Sequence, residues 1–152
     1  MEEFKIELFE EENGKGSFPN FKSLDKESLQ HIQKSIKLKL NLEGNVDMLQ
    51  VIKKLAESQN ILSPYNAKSE SFSLIECFNE LEVKTNESVW VNWYRFDEVD
   101  EFKLLDLDKY FDDIWFPDSD DIEIFDNSLD WVVSVRHDGQ VFLWKSSADA
   151  SL

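Results

Sequence analysis

Residues 131–145 read WVVSVRHDGQVFLWK. Two runs rich in β-branched and aromatic residues flank His137-Asp138-Gly139, and Asp-Gly between such runs is a strong hairpin signal. Residues 131–136 and 140–145 are therefore expected to be two antiparallel strands. Upstream, Ile122-Glu123-Ile124-Phe125 reads as a short strand. Residues 89–96, VWVNWYRF, carry bulk at both odd and even positions, which suits a central strand covered on both faces.

Earlier in the chain the period changes. Met48, Leu49, Ile52, Leu55 and Ala56 form one stripe of an amphipathic helix, with Asn45 as its expected cap. Leu74, Ile75, Phe78 and Leu81 suggest a shorter helix. Ser23 or Asp25 is placed to cap a helix through Leu29, Ile32 and Ile36. This helix is expected to yield near Ser35 to a strand, because Ile36, Leu38, Leu40 and Leu42 alternate with Lys37, Lys39 and Asn41. Phe4-Lys5-Ile6-Glu7-Leu8 alternates in the same way and reads as a half-buried strand. Residues 18–21 and 58–71 read as connections, 109–115 as a short helical turn before Pro117, 118–121 as a loop, and the tail from about residue 146 as frayed. The expected fold is a single α+β domain, an antiparallel sheet with two or three helices packed on one face.

The 152 residues suffice for one sizeable core, and no internal repeat or linker divides them. The chain carries 32 acids against 16 Lys and Arg, a net charge of −16, and only two arginines, Arg95 and Arg136. Phosphate backbones and anionic membranes both require clustered cations, so neither nucleic acid nor a membrane is an expected ligand. The lone cysteine, Cys77, precludes an intramolecular disulfide and suits a reducing compartment. The acidic start, MEEFKIELFEEE, has no basic n-region or apolar run, and a cytoplasmic location is expected.

The charge is concentrated. Residues 97–130 contain fourteen acids and two lysines, so they supply twelve of the sixteen net negative charges. Aromatics interleave with the acids (Phe102, Tyr110, Phe111, Trp115, Phe116, Phe125), which a disordered acidic tail would lack. The segment thus reads as folded, with carboxylates outside: a solvated face that keeps the chain soluble, or a docking face for a basic partner. For docking, the candidate residues are Asp106, Asp108, Asp112, Asp113, Asp118, Asp120, Asp121 and Glu123, with Trp115 and Phe116 either core residues or aromatic anchors ringed by acids.

The sequence carries no recognisable catalytic signature. Counting from Asp118, the sixth position of a calcium loop would be Glu123 where glycine is needed, and the twelfth Leu129 where an acid is needed. An irregular metal site from Asp118, Asp120 and Asp121 is the remaining enzymatic alternative. His31, His137 and Cys77 share no zinc-ligand spacing. Cys77 lies in the apolar run LIECF and reads as a buried thiol more than a nucleophile. No glycine-rich phosphate loop is present, and no cofactor or metal is expected.

Residues 112–145, DDIWFPDSDDIEIFDNSLDWVVSVRHDGQVFLWK, resemble the C-terminal part of small bacterial proteins of the immunity type, from toxin–immunity systems including contact-dependent growth inhibition. The resemblance covers under a quarter of the chain and transfers no site residue. It implies a non-enzymatic inhibitor that binds a basic protein, such as a nuclease toxin, and blocks its cationic cleft. A cytoplasmic adaptor or regulator is the alternative from another class.

Overall fold

A computed structural model describes residues 1–59 and 61–146, and in it seven strands form one wholly antiparallel sheet. In chain order the elements are α1 (Glu3–Asn13), β1 (Phe21–Ser23), α2 (Lys26–Lys39), α3 (Met48–Ser58), β2 (Ile61–Leu62), α4 (Leu74–Glu80), β3 (Ser88–Tyr94), β4 (Glu98–Lys103), α5 (Leu104–Lys109), α6 (Phe111–Ile114), β5 (Ile122–Phe125), β6 (Trp131–Val135) and β7 (Val141–Lys145). The strands lie in the order β1-β4-β3-β5-β6-β7-β2. The chain is a single α+β domain, and the hairpin reading holds: Val133 faces Leu143 and Val135 faces Val141. Gly139 turns at φ +90°, a conformation that strains any residue with a side chain.

Both faces of this sheet are covered, where helices on one face were expected. Val89, Val91, Ile122, Ile124, Val133, Val135 and Leu143 point to a core shared with α1, α4, α5 and α6. Their neighbours Trp90, Phe125, Val132 and Trp144 point the other way, to a core with Ile32 and Ile36 of α2 and Val51 and Leu55 of α3. Strict alternation with bulk on both sides leaves no face for water. Every residue of β5 and β6 is buried, and β3 sits mid-sheet as its two-sided sequence requires.

Two expected strands are helical. Residues 4–8 belong to α1, because the alternation runs opposite to burial: Lys5 is 0% exposed, while Phe4 and Leu8 are 46% and 48% exposed. Residues 36–39 continue α2, where Ile32, Ile36 and Leu40 make a buried i, i+4 stripe and Leu38 faces water. The helix stops just before Asn41, which takes φ 58°. Asp25 caps α2 as anticipated, whereas α3 is capped by Asp47 in a reciprocal box with Gln50, not by Asn45. Two short edge strands, β1 and β2, replace expected connections, and Ser73 caps α4. The tail beyond Ser146 lies outside the described residues.

Candidate functional site

The acidic stretch does not form one face. It runs through β4, α5, α6 and β5 to the turn before β6, and much of its charge is bound into the fold. Asp100 is buried, accepting from Ser23 Oγ at 2.6 Å and Trp93 Nε1 at 2.8 Å. Asp108 accepts from Ser73 Oγ at 3.2 Å and from the Ile75 amide at 3.1 Å, tying α5 to the start of α4. Asp126 organises its turn by accepting from the Ser128 amide at 3.0 Å.

Asp118, Asp120 and Asp121 each meet a different partner. Lys68 Nζ lies 2.6 Å from Asp118, and hydrogen bonding to it holds that carboxyl below the usual aspartate range. Lys5 pairs with Asp120, which also accepts from the Phe116 amide at 2.8 Å. Asp121 accepts from the His137 amide at 2.7 Å and lies 3.0 Å from its Nδ1. The three carboxylates are thus turned to separate partners, and no group of His, Cys, Asp and Glu suited to a metal occurs among the described residues. Glu123 is buried on the opposite side of the sheet, accepting from Asn92 Nδ2 at 3.2 Å. Cys77 is fully buried, its Sγ 3.4 Å from Ser63 Oγ, and burial pushes the thiol up, away from the ionised form a nucleophile needs.

Trp115 is a core residue. It is 1% exposed, stacks on Phe111 and donates from Nε1 to the Asp120 carbonyl at 3.0 Å, so it presents no anchor to a partner. Phe116 is only half buried. Its ring meets that of Phe4 edge-on at 5.9 Å, which joins residues 112–116 to α1.

That junction assembles a surface. Phe4, Leu8 and Glu12 follow one another at i, i+4 along α1, beside α6. Burial raises the Asp113 carboxyl, and the nearby charges of Asp112 and Glu12 raise it further, so the three acids crowd together. Glu3, Glu7 and Glu11 line the outer side of α1, all exposed. On α5, Leu105 is 73% exposed next to Asp106, and Lys109 sits over the Tyr110 ring at 5.1 Å. Of the sequence candidates, the structure brings together Asp112, Asp113 and Phe116, sets Asp106 on the adjoining helix, and separates Asp118, Asp121 and Glu123 from them. The α1 contribution was missed because residues 4–8 read as a strand. The signal for it was present in the four-residue spacing of Glu3, Glu7 and Glu11 and of Phe4 and Leu8.

No protein-family model matches the chain, and no curated protein or solved structure matches it at a significant level. No helix among the described residues is long and apolar enough to cross a membrane.

Proposed function

We propose that the protein acts by binding and not by catalysis: it is an immunity-type inhibitor that occludes a basic protein, of the nuclease-toxin class, with the surface formed by α1 and residues 112–116. The observation that carries this reading is the exposed Phe4–Leu8 ridge on Phe116, bordered by Glu3, Glu7, Glu11, Glu12, Asp112 and Asp113. An apolar centre with a charged rim is the composition of a binding hot spot. Carboxylates held on helices mimic the spacing of phosphates for a cationic cleft, and a net charge of −16 steers encounter with a cationic partner. The resemblance of residues 112–145 to immunity-type proteins supports the same reading, as does the buried thiol for action in a reducing cytoplasm.

The test is affinity capture with the immobilised protein and with an E12K/D112K/D113K variant, using cell lysate and material secreted by neighbouring cells. A basic protein retained at low salt, released as salt rises, lost by the variant and inhibited on stoichiometric mixing supports the proposal. A partner bound equally well by the variant overturns it.

A further inference from the structure

In a chain with 32 acids, its two arginines face the same cavity and neither forms an ion pair among the described residues. Arg95 and Arg136 line a hollow of about 180 Å³ on the second face of the sheet, with Asn92, Asp121 and Glu123 as polar wall and Ile52 of α3 as apolar wall. It uses none of the residues of the α1 surface and owes nothing to the function proposed for that surface.

Arg95 is set there by an unfavourable turn. The Asp97 amide donates to the Tyr94 carbonyl at 3.1 Å, so Arg95 and Phe96 are the central residues of a β-turn within the three-residue link between β3 and β4, at φ 49° and 57°. Such turns favour Asn-Gly, and two bulky residues at positive φ are strained. The surroundings hold the turn in place: Phe96 is fully buried, its amide donates to Asn92 Oδ1 at 2.8 Å, and its carbonyl accepts from Gln33 Nε2 at 2.9 Å. The Arg95 guanidinium lies 4.7 Å from the Tyr94 ring centre, and its buried Nε has no hydrogen-bond partner among the described residues. Arg136 Nη2 makes a long 3.4 Å contact to Gln59 Oε1. A guanidinium is a planar fork suited to bidentate recognition of an oxyanion, and neither of these two is committed to a carboxylate within ion-pair distance among the described residues.

Two guanidinium groups outweigh the acids in the wall. Asp121 keeps its charge but is turned to the His137 amide and ring. Glu123 is wholly buried, and burial, partly offset by Arg136 and Asn92, pushes its carboxyl up to about 7, so that a large part is neutral at neutral pH and offers a proton instead of a charge. We infer that this cavity binds a small oxyanion, a carboxylate or a phosphate group, between the Arg95 and Arg136 guanidinium groups. The volume is below the roughly 300 Å³ at which pockets for drug-sized ligands begin, so the ligand has few heavy atoms.

The experiment is calorimetric and amide-NMR titration of the full chain with inorganic phosphate and, separately, with succinate. Both are run at slightly acidic pH and constant ionic strength, with chloride as background. The expected result is saturable one-to-one binding of at least one anion, with shifts centred on Asn92, Arg95, Glu123 and Arg136. Binding should weaken by about tenfold or more in R95Q and in R136Q, the loss expected for a charged hydrogen bond, and stay unchanged in K109Q. Arginine-to-lysine variants serve where the glutamine variants do not fold, and they too should lose most of the affinity because the fork is gone. Phosphate alone saturating assigns a phosphate ligand, and succinate alone a carboxylate. Saturation by neither anion, or undiminished binding in folded arginine variants, overturns the inference.

Discussion

Lys5 of α1, wholly buried, and Asp120 of the loop before β5, partly buried, form an ion pair across 115 residues of chain. Lys5 Nζ also donates to the Ile114 carbonyl at 2.8 Å and lies 4.6 Å and 4.8 Å from the Trp93 and Phe116 ring centres. This one ammonium fixes α1 to the 114–120 segment and so holds the acidic–aromatic surface together. Removing one partner strands the other charge, which costs about 3–5 kcal/mol at a buried pair. Lys5→Met is expected to lower stability by that order in urea denaturation. Lys68→Met, which breaks the exposed pair with Asp118, should leave stability nearly unchanged because solvent screens that pair. Equal losses in the two variants would remove Lys5 from its organising role.

The same geometry makes an opposite prediction for its neighbours. Phe4 and Leu8 would be core residues if residues 4–8 were a strand with its apolar side inward, and replacing them by serine would then cost several kcal/mol, as large-to-small core changes do. On α1 they are half exposed. The F4S/L8S variant should therefore keep its melting transition to within about 1 kcal/mol, allowing for the Phe116 contact, while losing affinity for a basic partner. A large drop in stability would show that the ridge serves the core.

Glu123 gives a pH dependence with a definite sign. Its folded carboxyl titrates at about 7, above the ordinary 4.5, so the fold favours the protonated form. That contribution is complete below the ordinary value, is lost as pH rises from there through about 7, and is gone above it. By linkage the loss is about 3 kcal/mol. The amide of Glu123→Gln carries no such cost and still offers an acceptor to Asn92. The variant should match the wild type only below the ordinary value of 4.5, pull ahead as pH rises from there, and exceed it by up to about 3 kcal/mol at mildly alkaline pH. Parallel stability curves across that range would mean that Glu123 ionises without penalty.

The sheet was legible where local and tertiary preferences agree. Val132, Val133, Ile122 and Ile124 are β-formers buried on a two-sided sheet, and Gly139 sits at the turn that needs it. The sequence misled where an alternating pattern has two solutions. In FKIEL the polar residue at position 5 is buried by a partner at position 120, and no local rule foresees a pair that distant. In α2 the alternation of Leu38 and Leu40 hid the longer stripe of Ile32, Ile36 and Leu40. Strand β4 was obscured by its acids, because Asp100 faces inward to Ser23 and Trp93, a hydrogen-bonded burial that composition reports only as charge. The candidate site was legible as a concentration of carboxylates, but which of them face outward is decided by three-dimensional partners: Ser73 for Asp108, Lys5 for Asp120, Asn92 for Glu123.

The turn at Arg95 was invisible for a related reason, since neither arginine nor phenylalanine announces a β-turn, and it leads to the last prediction. Arg95 at φ 49° is in a region that glycine enters freely and other residues enter at a cost of order 1 kcal/mol or more. Arg95→Gly relieves that strain and removes a buried Nε that has no hydrogen-bond partner among the described residues, at the loss of the packing on Tyr94. The variant should be as stable as the wild type or more so, by up to about 1 kcal/mol. It should also lose the oxyanion titration, so that stability and binding move apart. Such a divergence would mark the arginine as held in a strained place for its ligand. If Arg95→Gly instead destabilised the fold by several kcal/mol, the guanidinium would be a structural strut, and the open cavity beside it a by-product of packing.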